Sequence, residues 1–109
     1  MNYSNDVDII SIGKKTLDYI EDVLIKEDVQ CQLDIDRLGD LALKISSTVG
    51  THLINVHSDA KELWLSSTIS GAYHFSYIKN TWKDKNSSTI FSLLKKELEP
   101  VVTLHFTPL

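Results

Sequence analysis

The sequence has a single cysteine, Cys31, so no disulfide can form within the chain and a reducing compartment is allowed. Glycine and proline are scarce, at four and two residues, which excludes collagen-like and low-complexity chains. No apolar run approaches the length needed to span a bilayer. The first residues carry Asp6 and Asp8 and no basic stretch, so they read neither as a secretory signal nor as an Arg-rich transit peptide. Gly-rich phosphate loops, His-Glu-x-x-His and paired-cysteine metal motifs are missing as well. The four histidines, His52, His57, His74 and His105, are scattered. Cys31 lies near Asp28 and Asp34, whose charge disfavours a thiolate, so it is a poor nucleophile.

What is present is an ordinary globular composition, 42% hydrophobic and 24% charged over 109 residues. That is the length of one domain, spanning 1–109, large enough to bury a core without staples. The net charge of −4 is unevenly spread. Residues 1–40 sum to −6 and residues 41–109 to +2. An acidic first half argues against a phosphate backbone as partner and for a cation or a basic protein surface.

Period defines the elements. Over residues 7–26, Ile9, Gly13, Leu17, Ile20 and Leu24 recur at helical steps, with Ile10 and Val23 widening the stripe. Ser4 or Asn5 is the expected cap, and Gly13 in the stripe implies close packing. Asp18, Glu21 and Asp22 share the opposite face. From residue 33 onward the period drops to two. Leu33 and Ile35 alternate with Asp34 and Asp36, and Leu41, Leu43 and Ile45 with polar partners. Short turns then separate segments at 51–57, 61–67, 72–78 and 81–83, which predicts antiparallel neighbours. Helical period returns over 88–99, capped by Ser87 or Ser88 and closed by Pro100, with Phe91, Leu94 and Leu98 on one face. Val101, Leu104 and Phe106 are expected to fold back on the domain.

The order helix, about six strands, helix predicts an α+β fold, a two-layer α/β sandwich with both terminal helices on one face of an antiparallel sheet. The other face is left open to solvent or a partner. Alternation puts Leu53, Asn55, His57, Glu62, Trp64, Ser66 and His74 on that open face. A large aromatic among hydrogen-bonding groups suits a protein partner. The carboxylates Asp18, Glu21, Asp22, Glu27, Asp28, Asp34 and Asp36 form the other candidate site, with only Lys26 interrupting them in sequence. Oxygen ligands of this kind suit hard or borderline cations, at modest affinity without a convergent cage.

The stretches Gly50-Thr51-His52-Leu53-Ile54-Asn55, Lys61-Glu62-Leu63-Trp64-Leu65-Ser66-Ser67 and Ser70-Gly71-Ala72-Tyr73-His74-Phe75, with the acidic first helix, resemble the frataxin family, including bacterial CyaY. The resemblance covers nearly the whole chain. It implies the frataxin-like sandwich, weak and labile binding of ferrous and ferric iron, and a role in iron–sulfur cluster assembly. It also implies docking on a cysteine desulfurase and its iron–sulfur scaffold protein. By the same resemblance Asp18, Glu21, Asp22, Asp34 and Asp36 fall on the iron-binding ridge, and Asn55, Trp64 and His74 on the docking surface. Asn55-Val56-His57 stands where the family usually has Asn-Lys-Gln. Alternatives are a weak ferroxidase, although no buried di-iron pattern is present, and a module whose acids serve docking alone. The expectation is a mostly monomeric protein without iron, binding neither nucleic acid nor membrane. Its expected place is a bacterial cytoplasm, or else a mitochondrial matrix or mitochondrion-derived organelle.

Overall fold

The computed structural model describes residues 8–107. The first helix, α1, runs Ile9–Glu27, and Asp8 caps it by accepting from the Ser11 amide at 3.1 Å. The expected caps Ser4 and Asn5 lie outside the described residues. The apolar stripe is borne out at Ile9, Gly13, Leu17, Ile20 and Leu24, all buried, but Ile10 faces out and Thr16 takes its place inside. Thr16 is buried because its hydroxyl accepts from Trp82 Nε1 at 2.9 Å while donating to the Ile12 carbonyl.

Six strands follow: β1 (Asp34–Arg37), β2 (Ala42–Ser47), β3 (Gly50–His57), β4 (Glu62–Ser67), β5 (Gly71–Ile78) and β6 (Thr81–Lys83). Every neighbour pair is antiparallel and the spatial order equals the chain order, a simple meander. The inward parity carries Leu43, Ile45, Ile54, Val56, Leu63, Leu65, Phe75 and Trp82, all buried. Helix α2 (Ile90–Leu98) closes the chain of elements and buries Ile90, Leu94 and Leu98. Its cap is Thr89, whose hydroxyl accepts from the Ser92 amide at 3.1 Å, and not Ser87 or Ser88. Ser87 instead occupies a left-handed backbone conformation in the preceding turn.

Both helices lie on the same side of the sheet, as the two apolar stripes require. Gly13 brings α1 close to β3: a β-carbon there would sit 2.5 Å from one Val56 methyl and 2.8 Å from the other. The tail returns to the domain: of the expected residues Leu104 is buried and Val101 and Phe106 are half-buried against the core, while Val102, outside the expected set, is buried as well. Tyr19, Phe91 and Phe106 pack together, with ring centroids 5.0 to 6.0 Å apart. The Tyr19 hydroxyl donates to the Thr107 carbonyl at 2.9 Å, which ties the tail to α1.

A second set of polar contacts holds α2 to the sheet. His52 occupies an inward position of β3 and is fully buried. Its Nε2 lies 2.8 Å from Glu97 Oε1 on α2, and Ser67 Oγ donates to the same oxygen at 2.7 Å. Ser70 donates to the other carboxylate oxygen. Burial opposes the charge of Glu97, but the bonds from Ser70, Ser67 and His52 outweigh it and hold the carboxyl below its ordinary value.

Candidate functional site

The predicted carboxylates separate into three groups. Asp18, Glu21 and Asp22 project from α1. Asp34 and Asp36 project from β1 toward the open face, because Ile35 and Arg37 take the inward parity opposite Ile45 and Leu43. Arg37 therefore passes beneath the sheet edge to the helix. Its Nη1 lies 2.8 Å from Asp18 Oδ1 and 2.8 Å from Glu21 Oε1. The sequence shows Lys26 as the single base between Asp18 and Asp36, yet folding sets a second one, Arg37, within the acidic group. Lys14 adds a contact of 3.2 Å to Asp18, one helical turn away. The Arg37 guanidinium beside Asp18 holds that carboxyl below the usual carboxylate range. Burial opposes the Arg37 charge, but its two carboxylate partners raise its pKa above the ordinary value.

Glu27 and Asp28, at the end of α1, have partners of their own. Glu27 Oε1 is 3.3 Å from His105 Nδ1. Asp28 accepts from the backbone amides of Gln32 at 2.7 Å and Leu33 at 2.9 Å, fixing the turn after α1. Among the described residues Asp22, Asp34 and Asp36 have no ion-pair partner. No three His, Cys, Asp or Glu side chains among the described residues gather closely enough to hold a metal ion. The donor set is the hard-oxygen type that iron accepts, but it is spread along a surface.

Asn55, His57, Glu62, Trp64, Ser66 and His74 all carry the outward parity of β3, β4 and β5, on the side away from the helices. Trp64 is directly opposite Asn55 on one neighbour and His74 on the other, while His57 is its diagonal neighbour. The indole lies between two imidazoles. His57 stacks on it at 3.8 Å between centroids and 14° between planes, and His74 at 4.4 Å and 10°. Trp64 Nε1 donates to Glu62 Oε1 at 2.9 Å, and His74 Nδ1 lies 3.8 Å from the same oxygen. The two flanking imidazoles and the Nε1–Glu62 bond together give the indole one preferred orientation. A shallow hollow of about 100 Å³ opens beside it, lined by Leu53, Asn55, Ser66 and Ala72. Alternation alone finds all six residues but not the stack, which depends on the diagonal offset between β3 and β4. The Arg37 bridge also escapes sequence reasoning, since it joins residues sixteen apart on different elements.

Comparison with known proteins places this architecture. A family model described as a frataxin-like domain matches residues 6–103. The mitochondrial frataxin homolog of Schizosaccharomyces pombe is 28% identical over 98 residues, covering 84% of this chain and 62% of that protein. The iron–sulfur cluster assembly protein CyaY of Paraburkholderia phymatum is 29% identical over 66 residues, 60% of this chain and 61% of that one. The matches thus span less than two thirds of these curated relatives. Among solved structures, frataxin from Psychromonas ingrahamii superposes with a TM-score of 0.79 at 19% identity, covering 98% of this chain and 99% of its own. Trimeric frataxin from Saccharomyces cerevisiae, complexed with ferrous iron, gives a TM-score of 0.72 at 24% identity over 84% of this chain and 85% of its own. With the family model covering nearly the whole chain and the sandwich shared with solved frataxins, the protein belongs to the frataxin/CyaY family.

Proposed function

We propose that this protein is an iron-handling component of iron–sulfur cluster assembly, acting as iron donor or as regulator of a cysteine desulfurase and its scaffold protein. Iron is held weakly by surface carboxylates: Asp22, Asp34 and Asp36 directly, and Asp18 and Glu21 in competition with Arg37. Glu27 and Asp28 contribute less, since His105 and backbone amides already engage them. Weak holding suits delivery, because a closed cage would retain the metal. The open sheet face meets the protein partner through Asn55, His57, Glu62, Trp64, Ser66 and His74.

The observation that carries the reading is the uncovered sheet face with Trp64 fixed at its centre by His57, His74 and Glu62. A rigid aromatic on a polar face loses little entropy on docking and has the character of a binding hot spot. The test is complex formation with the desulfurase and scaffold. Trp64→Ala should weaken it about tenfold or more while circular dichroism shows an intact fold. Unchanged binding and an unchanged cluster-assembly rate would overturn the docking role. For the metal, neutralising Asp18, Glu21 and Asp22 together should lower ferrous iron binding in a titration; identical stoichiometry and affinity would remove α1 from the site.

The Arg37 bridge favours a second reading in which the α1 carboxylates act only in electrostatic steering toward a basic partner. Loss of desulfurase binding at raised salt, in a protein that binds no iron, would support it.

A further inference from the structure

The helix side of the sheet carries a hollow at its β6 edge. There α1, the β5–β6 hairpin, α2 and the tail meet around about 720 Å³, within the roughly 300–1,000 Å³ of established ligand clefts. Its floor is Trp82 and Thr16, both buried and joined by the bond from the indole. Tyr77, Phe91 and Phe106 stand half-buried around that floor, each with part of its ring uncovered. Tyr77 and Trp82 form one tilted pair at 5.1 Å between centroids, and Phe91 and Phe106 another at 5.0 Å.

The rim carries charge of one sign. Lys15 of α1 and Lys79 of the hairpin turn are the two charged residues lining the hollow, and both are exposed. Among the described residues no Asp or Glu lines it, and neither lysine has a carboxylate within ion-pair distance. The α1 acids that pair with Arg37 lie toward β1, at the other end of the strand order. Lys79 and Asn80 are both left-handed, at φ 51° and 67°, as a tight two-residue hairpin requires. The turn thereby fixes where the Lys79 stem leaves the backbone. A hollow with aromatic walls and two unopposed ammonium groups at its mouth is complementary to a compound with an apolar body and one negative end.

We propose that this hollow binds a small planar aromatic acid, its rings over Trp82 and its carboxylate at the rim with Lys15 and Lys79. The tilted walls offer a flat ring both edges and faces. A rigid ring also loses less conformational freedom on binding than an alkyl chain. Asn80 adds a neutral donor at the rim. Tyr77 and Trp82 belong to the side of the sheet that meets α1, opposite to Trp64. The site therefore goes beyond the function proposed above and needs neither iron nor an assembly partner.

The test is a two-dimensional nuclear magnetic resonance titration of the full chain with 2-naphthoate, with neutral 2-naphthamide and aliphatic decanoate as the other probes. Naphthoate should shift the amides of Lys15, Tyr77, Asn80 and Phe91 and the indole N–H of Trp82, while the indole N–H of Trp64 stays in place. Naphthamide should bind about fivefold or more weakly than naphthoate, and K15Q/K79Q should weaken naphthoate by a similar factor while leaving naphthamide unchanged. Decanoate should bind more weakly than naphthoate. The two lysines are exposed, so their replacement leaves the core untouched. Equal affinity for acid and amide, indifference to K15Q/K79Q, decanoate binding as tightly as naphthoate, or shifts centred on Trp64 would each overturn the proposal. So would the absence of a saturable shift, or binding that appears only in a chain shortened to end at Thr107, which would assign the hollow to the chain's own end. Since no metal or assembly partner enters this experiment, its outcome is independent of the iron and desulfurase readings.

Discussion

Removing the carboxylate of Glu97 is a sharp probe of how the two layers are held together. Its Oε1 receives His52 and Ser67, its Oε2 receives Ser70, and both His52 and Ser67 are buried. Glu97→Ala leaves the His52 N–H and the Ser67 hydroxyl without an acceptor in a site closed to water. Each stranded donor costs about 1–3 kcal/mol, so the two together cost about 2–6 kcal/mol. That is a large share of the roughly 5–15 kcal/mol of a typical domain. In urea, with a slope of about 1–3 kcal/mol/M, the midpoint should fall by about 2 M, read from the emission of buried Trp82. Replacing both partners with apolar residues, His52→Phe with Glu97→Leu, strands only Ser67 and should cost less than Glu97→Ala alone. The pH dependence follows from the depressed pKa of Glu97. A carboxyl whose folded value lies below its unfolded value of about 4.5 stabilises fully above that value. The contribution is lost as pH falls through the folded value. Wild type should therefore lose stability more steeply than Glu97→Gln below about pH 4.5. Equal acid slopes, or a cost under about 1 kcal/mol for Glu97→Ala, would refute the reasoning.

Gly13→Ala should destabilise by about 1–3 kcal/mol despite the better helix propensity of alanine, because its methyl meets Val56; Val56→Ala in the same chain should recover most of the loss in thermal melts. Arg37→Ala frees Asp18 and Glu21, so iron affinity in a calorimetric titration should rise several-fold while stability falls by about 1 kcal/mol.

Much of the fold was legible because two periods are cleanly written. The helical stripe ending at Leu24 and the alternation through Leu43, Ile45, Ile54 and Leu65 specify which layer each element enters and which sheet face stays open. Trp64 and its neighbours were accessible by parity alone. His52 and Glu97 also had a signal: each occupies an inward position of an otherwise apolar face, and two polar residues so placed require one another. Which pairs meet is a matter of register, and register is a tertiary property. That is why Arg37 beneath β1, the His57–Trp64–His74 stack and the Trp82–Thr16 bond could not be read from spacing. The caps missed for a simpler reason. Several candidate residues lay near each helix start, and Asp8 and Thr89 won because their oxygens reach the amide three residues on.

The strictly sequential strand order has a kinetic consequence. Each strand needs only its immediate predecessor, so the sheet can zip hairpin by hairpin, each step closing a short loop on the microsecond scale. The distant contacts are made by the ends of the chain, through Thr16 to Trp82, Glu97 to His52 and Tyr19 to Thr107. Sealing of the helical layer, and not strand pairing, is then the slow and entropically demanding event. Variants at those three contacts should therefore slow folding itself, and not merely speed the reopening of the finished sandwich.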